Sequence, residues 1–201
     1  MTTIDRPRNP RGQGAALRPE IVAAAGRILD REGRDEAITL RAVAREVGIS
    51  APSIYAHFPD RDAIVLALID ESFDELRLFA QRAIEAGQQD PVSRLRQGCS
   101  AYLRYAEQSP HRYRLLFGSF RTMTDELKAD DDPGMRAFHV LIDGIQACID
   151  AGDSVSPDAE SDASALWAGL HGCAMLIVDQ HILDWDVAVE HMVTALARLT
   201  R

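Results

Sequence analysis

Apolar residues recur three and four positions apart along almost the whole chain, and that spacing limits the fold more than any other feature. Ile21, Val22, Ala25, Ile28 and Leu29 form one stripe. Ile64, Leu68, Ile69, Phe73, Leu76, Phe79, Ala83 and Ile84 form a longer one. No convincing run alternates apolar and polar residues between turn signals, as a half-buried strand would. An all-α fold of about nine helices is therefore expected, with an N-terminal three-helix head joined by a long helix to a larger C-terminal bundle.

Caps and breakers divide the pattern. Pro19 suits a helix first turn, and Gly33 stops that helix. Thr39 caps a short helix that Gly48 ends. Ser50 caps the next, with Pro52 in its first turn and Ile54 and Phe58 inward. Pro59 and Asp60 precede a long helix over 61–86. Further helices are expected over 92–108, from Pro110 to 117, and over 135–151, 158–179 and 184–199. Residues 122–133 hold five acids, one lysine and one proline, and read as a surface connection.

Charge divides the chain unevenly. The formal net charge is −9, and a uniformly acidic surface repels nucleic acid and anionic lipid. Residues 1–61, however, carry ten arginines against eight acids, and the rest carries twelve bases against twenty-three acids. Only the N-terminal third could meet a polyanion. Residues 1–17 read as a disordered basic arm, with Arg6, Arg8 and Arg11 and with Arg18 just beyond. The domain expectation is this arm, a head over 18–61 and a body over 62–201.

Two short helices flanking Gly48 are the signature of a helix-turn-helix. Gly48 supplies the positive φ of the turn, and Val43, Val47, Ile49, Ile54 and Phe58 can form a small core. The second helix would then present Ala51, Pro52, Ser53, Tyr55, Ala56 and His57 outward. A recognition helix must fit the major groove and reach base edges or phosphates. The full string, Thr39-x-Arg41-x-Val43-Ala44-x-x-x-Gly48-Ile49-Ser50-x-x-x-Ile54-Tyr55-x-His57-Phe58, with Arg61 three positions on, resembles the TetR/AcrR family of bacterial transcriptional repressors. The resemblance covers about residues 18–70. Trp167, His171 and Gly172 resemble the Trp-x-x-x-His-Gly element in one class of C-terminal domains of that family.

The resemblance implies a ligand-responsive DNA-binding regulator: a homodimeric repressor released from a palindromic double-stranded DNA operator by a small-molecule effector; the scattered cysteines and the lack of a signal or membrane segment make a reducing cytoplasm the expected compartment. It implies a DNA surface made of Thr39, Arg41, Ser50, Ala51, Pro52, Ser53, Tyr55, His57 and Arg61. Arg41 would meet bases or backbone. Ala51 and Pro52 would offer van der Waals contact at most, while Thr39, Ser53, Tyr55, His57 and Arg61 would meet phosphates. The small Ala51 and Ala56 leave little direct readout, so DNA shape and the arm would share in specificity. Each residue has a plainer reading: Tyr55 as a core-edge aromatic, His57 and Arg41 as solvated surface groups.

Effector-pocket candidates are Tyr102, Tyr105, Phe117, Phe120, Met135, Phe138, His139, Trp167 and His171, aromatic, soft or imidazole side chains on the middle helices. Ala165, Ala168, Gly169 and Gly172 leave a strip where another helix can approach closely. Together with Val189, Met192, Val193 and Leu196 they are the dimer-interface candidates. Trp167 and His171, four apart, share a helix face; a packed core pair is the alternative to a pocket wall.

Catalytic patterns are missing from the sequence. It holds no phosphate-loop, dinucleotide or nucleophile-elbow pattern, so no enzyme and no cofactor are expected. Cys99, Cys148 and Cys173 have neither disulfide-framework nor zinc spacing, and no metal is expected. Asp184, near His181, suits a helix cap. No apolar run suggests a membrane span or secretory signal. The competing reading is a small-molecule-binding helical protein whose head no longer binds DNA specifically.

Overall fold

Three of the longer helices start with one device. Asp90, Asp132 and Asp158 each stand just outside a helix and accept hydrogen bonds from its first backbone amides. Pro91 and Pro133 follow two of them, where a missing N–H costs nothing. The computed structural model describes residues 14–87, 90–118, 132–179 and 185–200. Among these residues there are nine α-helices, one 3-10 turn and an isolated bridge between Ser154 and Leu199. The fold is all-α, as the periodicity requires.

Two compact units divide at Glu71 and Ser72. In the first, α1 spans Gly14–Glu32, followed by a 3-10 turn at Asp35–Ala37. α2 spans Leu40–Val47 and α3 spans Ala51–Ile54. α4, Arg61–Ala86, contributes its first turns to this unit and the remainder to the second. The division therefore falls within α4 rather than at 61/62.

The helix α1 starts before Pro19, so residues 14–17 leave the expected arm, and Pro19 stands inside the helix. Arg6, Arg8 and Arg11 lie outside the described residues, as do Phe120, His181, Asp184 and positions 125–131 of the acidic segment. The first unit is held by Ile21, Ile28, Leu29, Ile38, Val43, Ile54, Phe58, Ile64 and Leu68, all at most 2% exposed. Ile49 is only half-buried.

In the second unit, α5 (Pro91–Gln108) lies at the centre. α6 (Pro110–Phe117), α7 (Pro133–Asp150), α8 (Ala159–Val178) and α9 (Trp185–Leu196) all pack on it. α8 has the length and composition of a membrane span. It nonetheless packs against α5, α6, α7 and α9, and its buried Asp162 pairs with Arg198 at 2.9 Å. One side of it packs within this unit, and a third of its apolar window is buried.

Candidate functional site

The turn between α2 and α3 is built by its own residues. Thr39 Oγ1 accepts the Ala42 amide at 3.1 Å and starts α2. Gly48 has φ 81°, and the amides of Gly48 and Ile49 both bond the Ala44 carbonyl at 2.9 Å. A side chain is strained at such a φ, which explains the glycine. Ser50 occupies the cap of α3, but its hydroxyl pairs with that of Ser53 at 2.7 Å instead of with a backbone amide. α3 itself is only four residues long; Tyr55 to His57 continue it as turns, closed by bonds from His57 and Phe58 to the Ile54 carbonyl.

This local geometry sorts the expected DNA residues. Ile54 and Phe58 are buried, which turns Tyr55 outward to 59% exposure. The plainer reading of Tyr55 as a core-edge group therefore fails. Thr39, Arg41, Ser50, Pro52 and Ala56 are exposed, and Ala51, Ser53 and His57 are half-buried. Among the described residues, the side chains of Arg41, Arg45, Tyr55 and His57 have no hydrogen-bond or ion-pair partner.

Arg61 requires a correction, because its guanidinium is already committed. It donates to the Asp35 carboxylate at 2.6 Å, the Asp35 carbonyl at 2.7 Å, the Ile38 carbonyl at 3.0 Å and Asp62 at 3.1 Å. An arginine fork used this way fastens the start of α4 to the turn before α2. Arg18 acts similarly. It lies 4.2 Å from the centre of the Phe58 ring and donates to the His57 carbonyl at 3.0 Å. Arg27 and Arg31 both pair with Glu46 and tie α1 to α2; the Arg27 hydrogen bond is the main reason Glu46 titrates below the usual carboxylate range. Composition placed these arginines in a basic third of the chain without showing which ones are paired within it.

The second unit holds a half-open cavity of about 970 Å³, within the usual size range of small-molecule sites. Tyr102, Phe117, Met135, Phe138 and Trp167 of the expected set line it, with Phe73, Leu76, Leu95 and Leu141. Tyr105 is buried and bonded to the Ser72 carbonyl at 3.2 Å, away from the lining. It is a core residue, not a pocket residue. His139 is exposed and also outside the lining.

His171 is not part of the lining either, but is linked to it through a residue that sequence reasoning missed. Tyr113, with no exposed surface, hydrogen-bonds Tyr102 Oη at 2.7 Å and His171 Nδ1 at 2.7 Å. The rings of Trp167 and His171 stack at 5.5 Å, and Phe117 packs edge-on to His171 at 4.7 Å. Burial pushes the Tyr102 phenol up to about 12, against hydrogen bonding to Tyr113 and Trp167 that lowers it. Burial also drives Tyr113 far upward and holds His171 below its ordinary value. The relay is uncharged near neutral pH. A signal for Tyr113 was present: Tyr113 and Phe117 share a face of α6 at the same four-residue spacing as Trp167 and His171 on α8.

The small-residue strip of α8 is partly filled from within the chain. A Cβ on Gly169 would meet Met192 Sδ at 2.9 Å and Leu196 at 3.5 Å, so this glycine admits α9. Val189 and Val193 are buried at 2% and 0% exposure. They pack inside the chain and leave the set that could face a second copy. Ala165, Ala168 and Gly172 remain exposed, beside Leu176 at 44%.

Comparison with known proteins agrees with this layout. Residues 95–199 match the family described as tetracyclin repressor-like, C-terminal domain. Residues 20–68 match bacterial regulatory proteins, tetR family. The chain belongs to the TetR family. Over 109 residues this TetR-family chain is 33% identical to the HTH-type transcriptional regulator EthR of Mycolicibacterium smegmatis, an overlap of 51% of the chain and 49% of that protein. The match thus spans about half the length of that relative. The fold matches a Rhodococcus sp. RHA1 protein of unknown function at TM-score 0.78 and 25% identity, covering 96% of this chain and 100% of that one. It also matches a TetR-family transcriptional regulator from Pectobacterium atrosepticum at TM-score 0.71 and 19% identity, covering 96% and 99%.

Proposed function

We propose that the chain is a ligand-responsive DNA-binding transcriptional regulator, acting in the cytoplasm as a homodimeric repressor that a small-molecule effector releases from a palindromic operator. One observation carries the reading. Arg41 and Tyr55 project from a helix-turn-helix, His57 beside them is half-buried, and the side chains of all three have no hydrogen-bond or ion-pair partner among the described residues. Polar side chains left unpaired on one surface suit a ligand that brings its own acceptors, and duplex DNA offers phosphates and base edges. The family match supports the same assignment.

The body cavity would take the effector, whose binding shifts the DNA equilibrium only by its differential affinity for the two states. The exposed side of α8, with Ala165, Gly172 and Leu176, would meet the second copy, next to Ala168, which also lines the cavity. Two copies bring two heads, hence a two-fold operator. No enzymatic role is proposed. The reading that the head has lost specific DNA binding draws on the short Ala51 and Ala56, which reach few base edges.

Selection of duplexes from a random library with the full chain tests the proposal. Enrichment of an inverted repeat is the expected result. Recovery of unrelated duplexes, with protein that is otherwise folded and ligand-binding, would favour the competing reading.

A further inference from the structure

We propose that the body cavity takes an extended apolar molecule carrying one uncharged oxygen function, a hydroxyl or a carbonyl, and that Tyr102 is the residue that reads it. The inference rests on the reading of this cavity as the effector site and names the class of effector.

The walls argue first. Phe73, Leu76, Leu95, Phe138, Leu141 and Trp167 give the cavity an apolar body. Its charged lining residues are Arg77, Arg94, Glu85 and Asp143, two of each sign. Glu85, Arg94 and Asp143 are exposed and stand at the water-facing edge. Arg77 is turned onto its own helix, bonded to Gln81 at 3.0 Å and to Asp74 at 3.3 Å. Among the described residues no inward cation is left to receive a carboxylate, which would have to leave water without compensation.

The remaining polar groups narrow the choice. Gln81 accepts from Arg77 through its amide oxygen and keeps only its NH2 donors, which suit a carbonyl, and the exposed Ser164 donates to the Glu160 carbonyl at 3.0 Å. The Cys99 thiol is a weak hydrogen bonder. Tyr102 is the hydroxyl of the lining that connects to a relay. Its bonds to Tyr113 and to the Trp167 indole N–H use two hydrogen-bonding positions, and one stays open. A pure hydrocarbon filling the cavity would strip that position of water and give nothing back.

The relay makes Tyr102 adaptable. If His171 Nδ1 accepts from Tyr113, Tyr113 accepts from Tyr102, and the Tyr102 oxygen is left to accept from a ligand hydroxyl. If the imidazole proton sits on Nδ1, each bond reverses, and Tyr102 donates to a ligand carbonyl. Both arrangements are uncharged, and they differ only in imidazole tautomer and hydroxyl rotation. The buried Tyr113 holds the hydroxyl of Tyr102 in place, so a ligand finds it already oriented.

Displacement of the neutral dye Nile red from the full chain by decane, decanol, a decanone and decanoate tests this. Decanol and the decanone are expected to bind roughly tenfold or more tighter than decane, and tighter than decanoate. Tyr102→Phe should erase the preference of decanol and the decanone over decane, with decane itself bound as tightly or up to about tenfold tighter because no hydroxyl is stripped of water, which also shows that the variant is folded. Tightest binding by decanoate, or an unchanged ranking in Tyr102→Phe, overturns the headgroup inference and leaves the cavity as a ligand site. If neither the dye nor any of the four compounds binds, the effector reading fails and this inference fails with it.

Discussion

Tyr55 and Tyr113 are the same side chain in two settings. Tyr55, in the head, is 59% exposed and has no partner among the described residues. Tyr113, in the body, has no exposed surface and two hydrogen bonds. A polar group turned outward without a partner is available to another molecule. A polar group turned inward must be satisfied by its own chain. The arginines of the head divide in the same way: Arg61 and Arg18 hold the fold, whereas Arg41 reaches into solvent. Residue type and position in a basic segment do not distinguish these uses, but partners do.

Substitutions can sharpen or break this division. The largest effect is expected for Phe58→Ala, which empties the head core and removes the ring under Arg18. A loss of about 3–5 kcal/mol in urea unfolding is expected. Tyr113→Phe should follow. It leaves both Tyr102 and His171 short of a partner, at about 1–3 kcal/mol, whereas Tyr55→Phe should leave stability unchanged and weaken DNA binding. If the two phenylalanine variants unfold alike, the contrast between the two tyrosines is wrong.

Arg61→Ala should come next, at roughly 1–2 kcal/mol, because its bonds to Asp35 and Ile38 are only partly shielded from water. Smallest is the pH effect of His171. Burial lowers its folded value below the ordinary 6.5, so the unfolded chain binds its proton first. Stability should therefore be full above 6.5 and decline as pH falls from there toward the folded value. His171→Asn should flatten that decline in urea midpoints taken across the window. A decline that persists unchanged would assign it to other groups.

The head was legible in the sequence because its signals are local. Thr39, Gly48 and the spacing of Ile54 and Phe58 act within a few residues of one another. Arg61 was misjudged because its partner Asp35 lies 26 positions away and looks like any surface acid. Most helix boundaries of the body followed from Asp and Pro caps, but its site did not. The cavity draws on α4, α5, α6, α7 and α8, and periodicity alone cannot tell a lining aromatic from a core one. Tyr105 and His139 therefore carry the same pattern as Tyr102, and Tyr113 gives no stronger signal than a core tyrosine. Val189 and Val193 carry the apolar pattern of an interface, but α9 buries them against its own chain.

The most direct test of the division is fluorescence anisotropy with the duplex upstream of the chain's own gene, against a scrambled duplex, across a salt series. Wild type, Arg41→Ala and Arg61→Ala are compared, with their stabilities measured alongside. The wild type should prefer the upstream duplex by about a thousandfold. Arg41→Ala should weaken DNA binding and lower the salt slope by about one per head, with stability unchanged within about 0.5 kcal/mol. Arg61→Ala should lose stability instead. The account is contradicted if Arg41→Ala destabilises the head while folded Arg61→Ala protein alone shows the reduced salt slope.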